Sequence, residues 1–332
     1  MRKFRILESV YKIYNRTLTF SSNNEFILQS VESYFSVYKN LHKFRSSETV
    51  KIELFDDNFD NSKINKIKSR TIKTKPAAEH KKRFTVHRIN KNIYAAIFYN
   101  GLAKINIDVK QSYIYGYIEK PERFGLDFIP NFIIIALLEI LFKFKNIFFI
   151  HSSAVANKRG AIIFAGASGS GKSTLAFYLM SKKFNLISDD KCFAYEKNGV
   201  IEVSGLLQPI DIIKKKDDYL IGLGLIEKIF NKYNENEKRY VVSEFKKNNI
   251  EYSGIVKSLI FPKTGDSFEV KRLTKNEALT RLLKHSVTPG MNISLKQHFE
   301  ILYKIIENSD CYSMIVSKDL NEFYKFIKGI TK

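Results

Sequence analysis

Tryptophan is absent from this chain, and cysteine and proline are scarce: 2 and 6 of 332 residues. So few prolines, with only 15 glycines, exclude collagen-like and low-complexity architectures. Two thiols, Cys192 and Cys311, cannot make a disulfide framework. They read as buried cysteines of a reducing, cytoplasmic compartment. Acidic residues are also in short supply, 34 against 55 Lys+Arg, for a formal net charge of +21. Residues 1–150 hold 26 of the basic and 14 of the acidic side chains, so the excess is spread out and is not a tail. A positive field of this kind favours polyanions: nucleotides, acidic or phosphorylated peptides, nucleic acid or anionic lipid. The first 20 residues have no continuous apolar core, so no secretory signal is expected.

Long hydrophobic runs are missing as well. The most apolar region, 128–150, carries Glu139, Lys143 and Lys145 inside and Pro130 near its start. Each charge would cost roughly 2.5–3.5 kcal/mol in lipid. The expectation is a buried helix over 131–145 and no membrane span. Glu139 and Lys143 stand at i,i+4, spaced to pair on its exposed edge.

What is present is globular: 44% hydrophobic and 27% charged residues, enough to bury a core without staples. The chain is long enough for one large domain or two modest ones, and it shows no internal repeat and no long linker. Residues 1–45 mix helical and extended signals. Residues 50–55 (VKIELF) alternate like a strand, and 56–61 follow as a polar turn. Residues 63–91 hold eleven Lys/Arg and one acid, Glu79. They read as a solvated loop or hairpin edge, or else as a docking surface for an acidic partner. Residues 83–88, 93–99, 104–109 and 113–118 are rich in Ile, Tyr, Phe and Val and read as consecutive strands. Residues 1–130 thus form a β-rich N-terminal region, a candidate for substrate recognition. Beyond the helix, strand and helix alternate, beginning with strands at 147–156 and 161–165.

Chemistry concentrates in residues 161–190. Gly166-Ala167-Ser168-Gly169-Ser170-Gly171-Lys172-Ser173 matches G-x-x-x-x-G-K-[ST] in full. An apolar run, AIIFA, precedes it, and STLAFYLMSKK follows with helical periodicity. Strand, loop and helix in that order are what a phosphate-binding loop requires. Gly166, Gly169 and Gly171 are expected to turn through positive φ, so that amides, with those of Thr174 and its neighbours, face one centre. The helix start adds a positive end. Lys172 supplies a charge for the β- and γ-phosphates of ATP, and Ser173 a hydroxyl for Mg²⁺. A short strand then ends in Asp189-Asp190. One carboxylate there can hold Mg²⁺, and the other can take a proton from an incoming hydroxyl.

The order His151-Ser152-Ser153-Ala154, glycine loop, Asp189-Asp190 resembles the C-terminal kinase domain of HPr kinase/phosphorylase. The run Ile201-Glu202-Val203-Ser204-Gly205-Leu206 is similar to that family's signature segment. The same residues are similar to the HPr-kinase-like proteins of peptide-modification systems, including kinases of lasso-peptide precursors. So are the tail segments starting at Ile260, Val270 and Asp310. The likeness covers roughly 130–330 and is specific at 151–205.

The resemblance implies an α/β fold. Residues 131–332 would be a P-loop kinase domain of the HPr kinase and PEP carboxykinase type, behind the mixed, β-rich region. It implies that Lys172 and Ser173 hold phosphates and metal. Asp189 would be the base, with Asp190 supporting it and the metal. Glu202 would complete the Mg²⁺ site, and His151 would lie near the transferred phosphate. The family's signature arginine is Ser204 here, so phosphorolysis and HPr itself are not part of the expectation. Oligomers are common in that family.

The expected function is therefore an ATP-dependent kinase acting on a hydroxyl, a Ser or Thr of a peptide or small protein. Nucleic acid is not the expected partner. A small-molecule kinase would use the same residues. A nucleotide-binding regulator would not need the paired aspartates. Gln208-Pro209-Ile210-Asp211 reads as a turn or a substrate loop, and His285 as a surface or capping residue. No Cys/His cluster has zinc spacing.

Overall fold

One-sided alternation in residues 50–55 places them in the middle of a sheet. In the computed structural model, residues 6–13, 16–35, 38, 48–69, 76, 78–80, 83–206, 210–213, 231–232, 237–240, 250–286 and 294–331 are described. They divide into two units, Met1–Lys145 with Thr288–Leu295, and Asn146–Val287 with Lys296–Lys332. The protein is mixed α/β. Of the segment 208–211, only Ile210 and Asp211 lie among the described residues.

The first unit contains β1 (Leu7–Ile13), β2 (Arg16–Ser22), α1 (Glu25–Phe35), β3 (Glu48–Asp56) and α2 (Ser62–Ser69). After them come β4 (Ala78–His80), β5 (Phe84–Arg88), β6 (Ile93–Phe98), β7 (Ala103–Asp108), β8 (Tyr113–Ile118) and α3 (Ile135–Lys143). The strands form one sheet in the order β1-β2-β3-β8-β7-β6-β5-β4. β2, β3 and β8 run parallel, and the other pairs are antiparallel. Part of the basic stretch 63–91 is α2, whose Ile64 and Ile67 are buried, and part is the edge strand β4. Asn24 caps α1: its Oδ1 accepts from the Ile27 amide at 3.2 Å. Phe35 of α1 stacks on Phe20 with centroids 5.6 Å apart.

The apolar helix starts two residues early, as a π-helical turn over Ile129–Ile134 that passes into α3. No helix of the described residues is long and apolar enough to cross a membrane. One expectation needs correction. Lys143 does not lie on an exposed edge; it is 2% exposed. Burial lowers its pKa, and Glu139 opposes that only in part. Below the ordinary lysine value the unfolded chain holds the proton more tightly, so the cost is present at neutral pH. It fades as pH rises through the lowered folded value towards the unfolded one. Lys143→Met is expected to raise the thermal midpoint at pH 7 by about 2–4 °C, some 1 kcal/mol, with the gain shrinking towards pH 10.5. A lower midpoint at pH 7 would contradict this.

The second unit begins with β9 (Ile147–Asn157), β10 (Gly160–Ala165), α4 (Lys172–Ser181), β11 (Asn185–Ser188), β12 (Lys191–Lys197) and β13 (Val200–Gly205). Three short strands follow, β14 (Ile210–Ile213), β15 (Asn231–Lys232) and β16 (Glu237–Tyr240), in a sheet of their own. It ends with β17 (Ser253–Thr264), β18 (Glu269–Arg272), α5 (Lys275–Ser286), α6 (Leu295–Glu307), β19 (Asp310–Val316) and α7 (Asn321–Ile330). β9 and β17 are long enough to serve two sheets. Pairings run β9-β12-β13-β17-β10 and back to β9, closing a ring. β10, β17 and β19 are parallel, so their carboxyl ends meet on one edge. Both cysteines are buried and free. Burial pushes the Cys192 thiol up to about 12, which makes it inert at neutral pH.

Candidate active site

β10 delivers the chain into the glycine loop at the carboxyl edge of the parallel strands. Gly169 and Gly171 have φ of +81° and +94°, the left-handed region that glycine tolerates best. Gly166 does not share it, contrary to expectation. Its reason is space: a Cβ there would stand 2.8 Å from Ser170 Oγ. Ala167, Ser168 and Gly169 form the exposed tip. Gly171 precedes α4, whose first internal bond is from the Leu175 amide to the Gly171 carbonyl, at 2.9 Å. The amides of Lys172, Ser173 and Thr174 come before that bond and have no carbonyl one turn back to use. Ser170 Oγ is buried without a hydrogen-bond partner among the described residues. Orphan donors at a helix start fit an anion.

Lys172 is folded back into the loop. Its Nζ donates to the carbonyls of Gly166 and Ala167, both at 2.9 Å, and the residue is 6% exposed. Burial lowers its pKa, and Asp190 works against that shift. A cavity of about 570 Å³ opens beside the loop, between Gly171, Thr174, Thr264 and Ser317. It lies where open parallel sheets take their ligands, outside the carboxyl ends of the strands.

Four serines hold the acid pair. Ser173 Oγ donates to the Asp189 carbonyl at 3.3 Å, so loop and pair are joined directly. Ser153 Oγ donates to the same carbonyl. The Ser152 amide donates to the Asp190 carbonyl at 3.0 Å. Ser188 Oγ donates to the Lys191 carbonyl at 2.9 Å and accepts from the Lys191 amide at 3.1 Å, closing the turn. Asp189 is buried. Asp190 Oδ1 lies 3.0 Å from His151 Nδ1, and Lys191 Nζ lies 3.9 Å from Oδ2. Burial alone would raise the Asp190 carboxyl. The His151 hydrogen bond, with the charges of Lys191, His151 and Lys172, outweighs it and holds the carboxyl below its ordinary range.

Glu202 stands apart. It pairs across from Tyr195, while Lys191 pairs with His151. Four residues of strand separate those positions, roughly 13 Å. Its carboxylate is occupied by the Tyr195 hydroxyl and by Lys197 Nζ, the latter at 3.4 Å from Oε1. No group of three or more His, Cys, Asp or Glu gathers to hold a metal among the described residues. Mg²⁺ does not need one. It keeps waters and takes one or two carboxylates plus substrate phosphates. Ser173 and Asp190 fit that requirement.

Three residues gained a place here that the motif did not give them. Ser152 and Ser153 anchor the backbone of the acid pair. His285, near the end of α5, is half-buried. Its pKa is lowered by burial first and then by the charges of Lys172, His151 and Lys284. The helical pattern alone could not say which way it faced.

No protein-family model matches this chain, and no curated protein does. One similar solved structure is that of the Hpr(Ser) kinase/phosphatase from Coxiella burnetii, at 11% identity and a TM-score of 0.28. The match covers 55% of this chain and 93% of that one. A likeness that low carries no argument, and the functional reading stands on the geometry above.

Proposed function

We propose that this chain is an ATP-dependent kinase that phosphorylates a Ser or Thr hydroxyl of a peptide or small protein, as in lasso-peptide-type modification. One observation carries the reading: Ser173 of the glycine loop is hydrogen-bonded to the backbone of the Asp189–Asp190 pair. Phosphate-binding donors and candidate proton acceptors therefore share one edge.

The roles divide by charge. The loop amides, Lys172 and Ser170 Oγ receive the β- and γ-phosphates. Lys172 swings from the carbonyls of Gly166 and Ala167 to do so. Ser173 and Asp190 are the residues that would hold Mg²⁺, which would supply neutralisation of the phosphate charge. A carboxyl held low, like that of Asp190, is a poor base and a good ligand. That leaves Asp189 to take the proton. The acceptor oxygen bonds to the γ-phosphorus, the bond from that phosphorus to the β–γ bridging oxygen breaks, ADP leaves, and the hydroxyl proton passes to Asp189. His151 orients Asp190. The cavity of about 570 Å³ beside Gly171 and Thr174 takes the nucleoside.

The test is γ-labelled ATP with Mg²⁺, offered with extract of the source cell to wild type and to Asp189→Asn. Wild type should label a species of peptide or protein size. The variant should bind nucleotide within about threefold of wild type and transfer at least about 10²-fold less. Label only in a small metabolite would replace the acceptor. Equal transfer by both proteins would remove Asp189 from its role.

A further inference from the structure

At the opposite end of the same strands lies a second cavity, of about 630 Å³. It opens where β10 begins, at Gly160, while the phosphate loop follows where β10 ends. The backbone there is irregular. Ala161 pairs with Val256, but Ile162 pairs with Ser258, so Lys257 is an extra residue in β17. Bulges of this kind re-aim a side chain. Lys257 is aimed across Gly160. A Cβ on Gly160 would stand 2.5 Å from Lys257 Cγ and 2.6 Å from the Ile255 carbonyl oxygen, and its φ is +138°. Only glycine lets the lysine pass.

Ser258, the next residue, lines the cavity and is 4% exposed. It puts a hydroxyl on the cavity wall, a donor that a ligand there can use.

The charges decide what that is. Arg272 pairs with Asp310, and Lys275 with Glu307 at 2.7 Å, so these four cancel. Arg159 and Lys257 also line the cavity, and neither has a carboxylate partner among the described residues. α6 and α7 end here and bring about half a negative charge each, while α5 starts here and brings about half a positive one. Two whole unpaired cations outweigh that balance. A planar guanidinium, an ammonium and a hydroxyl donor together suit a tetrahedral oxyanion. The volume is that of a small-molecule site.

We propose that this cavity binds a small phosphate-bearing anion, held by Arg159, Lys257 and the Ser258 hydroxyl, independently of the glycine loop. Inorganic phosphate is the probe, titrated into the full ¹⁵N-labelled chain. The amides of Gly160 and Ser258 should shift saturably in wild type. In Arg159→Ala/Lys257→Ala, both on the surface, that affinity should weaken at least tenfold while shifts at Gly169 and Gly171 persist. The separate loop signals keep the two sites distinguishable. No saturable shift at Gly160 and Ser258, or the same affinity in the double variant, would overturn the site.

Discussion

Lys172→Ala is expected to cut phosphoryl transfer by about 10²–10³-fold and to leave the fold standing. Without a ligand, the lysine side chain is folded back into the loop. Its Nζ is held by two loop carbonyls, those of Gly166 and Ala167. Alanine frees both, but they lie near the exposed loop tip, where water can replace the lost donor. Removing a charge disfavoured by burial offsets part of that loss. The thermal midpoint should therefore move by no more than a few degrees. Catalysis has no such substitute. The β- and γ-oxygens gain charge as the γ-phosphoryl departs, and nothing else in the loop carries a full positive charge. Lys172→Arg should not rescue, because a planar fork cannot lie in a pocket shaped for a point charge. Transfer above a tenth of wild type in Lys172→Ala would sink the glycine loop as the phosphate site. A midpoint lowered by ten degrees would make the variant uninformative on catalysis. Ser173→Ala then serves instead: the Asp189 carbonyl keeps its bond from Ser153, so the fold should stand, while the loop loses the hydroxyl assigned to the phosphate site.

The sequence was readable where one physical rule dominated. Residues 50–55 and 113–118 lie in β3 and β8 because alternating burial leaves a period of two. The glycine loop was readable because backbone geometry at Gly169 and Gly171 admits few other residues. Residues 7–13 and 16–22 were not legible: β2 is rich in Ser and Thr, and β1 buries only Tyr11 and Ile13 fully. Their identity as strands comes from pairing with each other and with β3. Lys143 misled because i,i+4 spacing says which residues are neighbours, not which side of the helix is covered. Glu202 misled in another way. A residue three before Gly205 was given a role by likeness, while the strand register carries it down the ring away from Asp190. Nor could spacing reveal that Gly166 serves close packing and not a positive φ. In each case the missing information is tertiary: which element lies against which.

Gly205→Ala should destabilise the second unit by at least about 3 kcal/mol and disable the site before it unfolds. A Cβ at Gly205 would stand 1.7 Å from the Ile187 carbonyl oxygen and 2.9 Å from Ser188 Cβ. The first of these is backbone, which has no rotamer to give way. Either β13 lifts or the end of β11 moves, and the end of β11 is what presents Asp189 and Asp190. The two are also latched: the Leu206 amide donates to the Lys191 carbonyl at 2.9 Å, and Ser188 Oγ donates to that same carbonyl. Displacing Ile187 therefore pulls on the turn that the four serines hold. Gly125→Ala is the control, since nothing lies within 4 Å of its added Cβ. It should change stability by less than about 1 kcal/mol. Denaturant midpoints would be compared for both variants, with transfer assayed ten degrees below each midpoint. At that temperature Gly205→Ala should still bind nucleotide through the loop, whose glycines the added Cβ does not touch, yet transfer at least tenfold less. If it matched Gly125→Ala in both measurements, β13 would not approach β11 this closely at Gly205. The acid pair would then have to be held by the serines alone.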